Sequence, residues 1–287
     1  MQTKTRFLRG IGLTLGTAIL AMATAAPLKA ATCNYTTLIN LISWGLAVDA
    51  SGCNFWAQDF SNRAITYVSY FDDAVLDYTS FRQSYLNGNS FVGASMIRTN
   101  LYEASIDQTL FSHANLTHAN LTYADARGAN FAHANLRYAK LYRVYAWDSV
   151  TQPAHEFRAN FYDADLRNTD MRNTSMAWVR FGKAKLDSAR LDDGIFVKAD
   201  FLYARGPYLS AKNALLWHAR MYAGNFAYAN FEGAKLNHAD LRYADFQGAN
   251  LRNADMTGVK TVGTKFTGAT WTGGQICQAG SVGVCLF

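Results

Sequence analysis

The sequence carries no nucleophile elbow, no His-Glu-x-x-His pair and no phosphate-binding loop. The common hydrolytic and nucleotide-dependent chemistries therefore find no footing in it. It also lacks any excess of acid: Lys and Arg number 27 against 21 Asp and Glu, a formal net charge of +6. Four of the bases, Lys4, Arg6, Arg9 and Lys29, precede residue 31 with no acid among them. Without them 27 − 4 = 23 bases face 21 acids, a balance of +2. The basicity is thus mostly that of one terminal segment and not a nucleic-acid footprint. Long apolar runs are lacking too, apart from Ile11 to Ala26, which is short for a membrane span. With bases before it and small residues after it, it reads as a secretory signal peptide over residues 1–30. Ala25, Ala26, Ala30 and Ala31 are the candidate cleavage positions. Cysteine is scarce: Cys33, Cys53, Cys277 and Cys285, with no structural-zinc spacing. An even count in an exported chain points to disulfides, with three pairings open.

What is abundant is a period of five. Large apolar residues recur from Phe71, Leu76, Phe81, Leu86, Phe91 and Met96 through to Phe266 and Trp271. Five matches neither a helix nor a strand. It marks a short-period solenoid, whose repeats bury their side chains only by stacking on neighbours. Calling the large residue i, position i−2 is small (Ala114, Ala119, Ala124) and i−1 is short and polar (Asn115, Asn120, Asp125). The unit Ala-Asn/Asp-Leu/Phe-x-x runs unbroken through "ANLTHANLTYADARGANFAHANL". The Asn/Asp row is expected to bond backbone groups at the corners.

These residues resemble the pentapeptide-repeat family over about residues 55–271. The resemblance implies an all-β fold, a right-handed quadrilateral parallel β-helix with four pentads per coil. Residues twenty apart then stack, with coils about 4.8 Å apart. One expected interior column is Phe71, Phe91, Phe111, Phe131; another is Leu101, Leu121, Leu141, Phe161, Phe181, Phe201, Met221, Leu241. A rod keeps its ends apart, so Cys33–Cys53 and Cys277–Cys285 are the expected pairs. Residues 31–54 read as an N-terminal cap, with Leu38, Leu41, Ile42 and Leu46 placing a capping helix over 36–48. Phe55, Phe60, Ile65 and Tyr70 then make a first coil one residue out of register. Gly-rich residues 272–287 read as a C-terminal cap. The rhythm lapses at 142–160, as a deformed coil or an outgoing loop, and at 206–213.

Function must then sit on the surface. Stacking by twenty predicts an outward column of Tyr78, Arg98, His118, Tyr138, Arg158, Trp178, Lys198, His218 and His238, without an acid. A neighbouring face is expected to carry Tyr102, Tyr142, Tyr162 and Tyr222 beside Tyr123, Arg143, Lys183, Tyr203 and Tyr243. Aromatic and basic groups in a row suit a linear polymer or a protein surface, and in an exported protein an anionic glycan before nucleic acid. His113 and His133, and His218 and His238, should stack, but no carboxylate is expected to complete a metal shell. The reading is a non-catalytic exported rod, periplasmic, secreted or in an organelle lumen. It carries no cofactor, no metal and no integral membrane domain after signal cleavage, and its oligomeric state is left open. The alternatives are a DNA-mimicking topoisomerase-interacting protein, which the resemblance implies would be strongly acidic, and an enzyme acting on polysaccharide. Asp148, His155 and Glu156 are the enzyme's sole candidates.

Overall fold

Each pentad forms one side of a square coil in the structure, a computed structural model that describes residues 28–29, 33–65, 68–146 and 158–287. Single parallel bridges recur every five residues and join positions twenty apart: Ser90 to Leu110, Ser95 to Asn115, Asn100 to Asn120, Ser105 to Asp125. The N–H of i donates to the next coil (Phe91 N to Leu110 O, 2.8 Å), and that of i−1 to the coil before (Ser95 N to Ala74 O, 2.9 Å). The i−2 N–H closes a corner onto the carbonyl of i, as in Ala94 N to Phe91 O at 3.1 Å. The result is a right-handed quadrilateral β-helix. Its small i−2 and large i residues point inward, and Ala94, Ala114, Met96 and Leu116 have no exposed surface.

Two features explain why these residues make corners. At i−1, Asn or Asp accepts the N–H two residues on: Asn130 Oδ1 from Ala132 at 3.1 Å, Asn250 Oδ1 from Arg252 at 3.0 Å. Where i−1 is serine, the acceptor comes from i+1 of the previous coil. Asp77 Oδ1 then takes both the Ser95 hydroxyl at 2.6 Å and the Ile97 N–H at 2.9 Å. Position i+2 is left-handed, with φ of 62° at His113 and 59° at Tyr138. A turn with φ above zero at its third residue requires this.

The first coil corrects one reading. Phe55, Phe60 and Ile65 are buried, but Tyr70 is half-buried at i−1, bridging Asp49 and Ser90, and the inward residue is Phe71. The lapse at 206–213 is no break. Gly206 leaves the interior space that the larger-than-usual i−2 residue Leu209 fills, and a Cβ on Gly206 would overlap it. Pro207 occupies i+1, where φ near −65° is wanted. Its carbonyl still accepts Ser188 N at 3.1 Å.

The lapse at 142–160 changes the register. Asn130 pairs with Asn160, Asn135 with Asp165, Lys140 with Asp170 and Tyr145 with Ser175, thirty residues on. A side that takes five residues elsewhere takes fifteen between Tyr145 and Asn160, a ten-residue insertion and not a deformed coil. Residues 147–157 lie outside the described residues. The interior columns follow the insertion. Phe161 stacks on Phe131 at 4.8 Å, not on Leu141, and Phe71, Phe91, Phe111, Phe131, Phe161, Phe181 and Phe201 form one ladder with centroids 4.8–5.3 Å apart.

At the N-terminal end β1 (Leu28–Lys29) pairs in parallel with β2 (Val48–Asp49), and α1 (Tyr35–Ser43) lies between them in sequence. Asn34 caps α1 by accepting Thr37 N at 3.0 Å, and Leu38 and Ile42 are buried. The helix is shorter than the expected 36–48, because Gly45, with φ 70°, turns the chain. Parallel pairing at a twenty-residue step is thus already present between Leu28 and Val48, ahead of residue 55. Cys33 and Cys53 are disulfide-bonded, with Cα atoms 5.2 Å apart. At the other end the tail folds back antiparallel on the last coil. Ser281, Cys277 and Gln275 carbonyls accept the N–H groups of Phe266, Gly268 and Trp271 at 2.7–2.8 Å. The Cys277–Cys285 disulfide ties this cap, with Cα atoms 5.0 Å apart. Among the described residues no helix is long and apolar enough to cross a membrane.

Candidate functional site

The thirty-residue step splits the expected outward column. Tyr78, Arg98, His118 and Tyr138 share one side, where the His118 and Tyr138 rings stack at 4.9 Å and Arg98 lies 5.7 Å over Tyr78. Beneath Tyr138 comes Asn168, because Asn135 pairs with Asp165. Arg158, Trp178, Lys198, His218 and His238 are displaced by two pentads, on the opposite side of the square. There Trp178 is clasped between Arg158 at 4.4 Å and Lys198 at 4.3 Å. Burial and the neighbouring Arg180 lower the pKa of Arg158. Both faces of the indole are thus already occupied by cations of the same chain. His218 and His238 stack at 5.1 Å.

The tyrosine face divides in the same way. Tyr102, Tyr123, Tyr142 and Arg143 stay together, while Tyr162, Lys183, Tyr203, Tyr222 and Tyr243 lie on the opposite side. On the first of these sides the i+1 and i+2 residues of successive coils interleave. Tyr102 and Tyr123 meet edge-on at 5.8 Å, and Tyr123 and Tyr142 at 6.1 Å. Arg82 lies 5.2 Å over Tyr102, Arg143 lies 5.8 Å from Tyr123 and 5.5 Å from Tyr142, and Arg172 lies 5.7 Å from Tyr142. The zipper leads to a cavity of about 390 Å³ at the next corner, lined by Tyr123, Arg143, Tyr145, Asn173, Ser175 and Asp193 among others.

Around the coil a recurrent Asp-x-Arg pattern, which the sequence reading did not single out, pairs many of the arginines. Asp125–Arg127, Asp170–Arg172 and Asp240–Arg242 pair at 2.7 Å, and Asp165 pairs with Arg167. Burial pushes the Asp170 carboxyl up, but the Arg172 hydrogen bonds and charge outweigh it, and the net shift is downward. Bonds from Asn237 and Thr257 bring half-buried Asp255 to about 2.

His113 and His133 stack at 4.9 Å. Contrary to expectation a carboxylate adjoins them, since the longer step sets Asp163 Oδ2 3.2 Å from His133 Nδ1. Among the described residues no group of three metal-ligating side chains assembles. Asp148, His155 and Glu156 lie outside the described residues.

A filled coil with left-handed corners recurring through the described pentads defines a short-period parallel β-solenoid that meets its surroundings through its outer surface. A family model for pentapeptide repeats matches residues 69–108, 109–145, 159–201 and 225–258. These segments make up more than half of the chain, and the chain belongs to the pentapeptide-repeat family. Family members are generally non-enzymatic structural or interaction proteins. Among solved structures it is similar to HetL, a pentapeptide repeat protein involved in heterocyst differentiation regulation from the cyanobacterium Nostoc sp. strain PCC 7120. That match has 22% identity, covers 85% of this chain and 99% of HetL, and has a TM-score of 0.40. QnrB1, a plasmid-mediated fluoroquinolone resistance protein, matches at 15% identity over 74% of this chain and 91% of its own, with a TM-score of 0.36. A pentapeptide repeat protein of the Arabidopsis thaliana thylakoid lumen matches at 20% identity over 43% and 71%, with a TM-score of 0.24. No curated protein matches the sequence.

Proposed function

We propose that this chain is an exported, non-catalytic rod that presents an aromatic and basic surface to a protein or anionic glycan partner. The observation that carries the reading is the interleaved Arg82–Tyr102–Tyr123–Tyr142/Arg143–Arg172 zipper on one flat side. Large amphipathic rings held in register by guanidinium groups give contact area at little entropic cost, the chemistry enriched in binding surfaces. Export is supported by the basic and apolar character of the first thirty residues and by a disulfide in each cap. Cleavage at Ala25 or Ala26 keeps β1, and cleavage at Ala30 or Ala31 removes it. A DNA mimic needs a strongly acidic rod, and the charge balance beyond residue 30 argues against it. The test is photo-crosslinking in the native compartment from a probe placed at Tyr102 or, separately, at Tyr203 on the opposite side. Capture of one partner from position 102 and not from 203 supports the reading. A cytoplasmic chain with an intact N-terminus that captures a topoisomerase from either position overturns it.

A further inference from the structure

We propose that the corner groove beside the tyrosine zipper binds a carboxylate-bearing sugar, such as a uronate residue of a glycan; this deepens the binding-rod reading and rests on it. The groove is an open depression offering about 390 Å³, within the volume range of small-ligand sites. Tyr123 and Tyr145 face it from two adjoining sides of the coil, and both rings are about two-fifths exposed, 42% and 39%.

Tyr145 holds an i−1 position, where in many other pentads Asn or Asp bonds the corner backbone. A phenol there cannot reproduce that bond, so the ring projects from the corner. Ser175 and Ile195 follow at the same slot in the next two coils, so no Asn or Asp side chain stands at this slot beside the groove.

The polar groups are of complementary kinds. Arg143 Cζ lies 5.8 Å from the centre of the Tyr123 ring and 5.5 Å from that of Tyr142. Among the described residues it has no carboxylate partner, unlike Arg127, Arg167, Arg172 and Arg242. A guanidinium placed beside two rings and without a carboxylate partner is suited to bidentate contact with a carboxylate. Asn173 and Ser175 supply neutral donors and acceptors, and Asp193, held by Asn213 Nδ2 at 3.2 Å, supplies a fixed acceptor for hydroxyl groups. One cation, one anion, neutral hydroxyl partners and two ring walls match a hydroxylated ring bearing one negative charge. They do not match a run of phosphodiesters, which Asp193 would repel.

The experiment is calorimetric titration of the full disulfide-bonded protein with trigalacturonate and, separately, with its neutral methyl ester. Wild-type protein is expected to bind the acid, and the ester about tenfold more weakly. Arg143→Gln should erase that preference, Arg143→Lys should restore part of it, and Tyr145→Ser should weaken both ligands. Arg98→Gln, on a different side, should change neither. Because Arg143 and Tyr145 are exposed, thermal melts of these variants should overlay wild type. No binding of the acid by wild type, equal binding of acid and ester, or an unchanged preference in Arg143→Gln would overturn the groove assignment. If the groove fails while a probe at position 102 still captures its partner, the general rod reading stands without it.

Discussion

The residue that sets the corner is the one facing solvent. At i+2 the backbone is held near φ +60° by the N–H bond to the next coil and the closing bond at i−2. Tyrosine, histidine, arginine, lysine and tryptophan all adopt it here. For a side chain with a Cβ this conformation costs about 1–2 kcal/mol, tolerated only because neighbouring coils over-determine it. Ser188, with φ 57° and an outward side chain, isolates the effect. Ser188→Gly is expected to raise the urea midpoint by an amount worth about 0.5–1 kcal/mol, whereas Ala189→Gly, at a buried i−2, should lose about 1 kcal/mol. Equal losses at both positions would contradict the corner assignment. The polar i−1 residue makes a second, pH-dependent contribution. Burial opposes ionisation of Asp170, yet Arg172 leaves its folded pKa below the ordinary value. A depressed carboxyl stabilises the fold above its unfolded pKa of about 3.9 and loses that contribution as pH falls through the lower folded value. Urea midpoints measured from neutral pH down through this window should fall in wild type, and less steeply in Asp170→Asn. An identical slope would remove Asp170 from the acid response.

At the scale of the coil, the five-residue phase was legible in the sequence and the twenty-residue one was not. Every pentad states which residue points inward, and nothing in it says how many sides separate two residues. Inserting ten residues keeps the remainder on division by five and changes the remainder on division by twenty. The inward set from Phe71 to Phe266 was therefore readable, while Arg158 and Trp178 were assigned to the side opposite their true one. One signal in the sequence could have exposed the step. The phenylalanines at 71, 91, 111, 131, 161, 181 and 201 are spaced by twenty except once by thirty, and they stack without interruption. Tyr70 was misplaced for a similar reason, since an extra residue before it moved the inward position to Phe71. The groove was illegible because it is assembled from residues 123, 143 and 145 on one side of the insertion and 173, 175 and 193 on the other. The geometry predicts that deleting residues 147–156 is harmless. The deletion joins Ala146 to Phe157 and leaves Ala-Phe-Arg-Ala-Asn, one complete side ending at Asn160. Circular dichroism should be unchanged and stability altered by less than about 1 kcal/mol, with the shorter closure favouring the fold. Deleting 147–153 instead breaks the phase and should unfold the junction. A deletion of 147–156 that unfolds the protein would refute the thirty-residue register.

On the scale of the whole molecule, a rod of stacked coils has two ends and no closure, and each coil is stabilised only by its neighbours. The interior Phe ladder and the polar corners repeat along the axis, so neither limits how many chains could join end to end. The caps do. At the C-terminal end, Phe266, Gly268 and Trp271 point N–H groups along the axis as inner coils do, an edge that another chain could pair with if it were uncovered. The tail blocks that pairing by supplying carbonyls from Gln275, Cys277 and Ser281 in the antiparallel sense, and the Cys277–Cys285 bridge holds it there. Closing so short a loop is worth about 2–3 kcal/mol by chain entropy. The double variant Cys277→Ser, Cys285→Ser should therefore melt at lower temperature. Its tail should also leave the last coil often enough to expose the edge. Multi-angle light scattering of that variant should show mass rising with concentration, while Cys33→Ser, Cys53→Ser, which leaves the C-terminal edge covered, should destabilise without the same growth. A monodisperse C-terminal variant with unprotected amides at Phe266, Gly268 and Trp271 in hydrogen exchange would show that the open edge is not what the cap restrains.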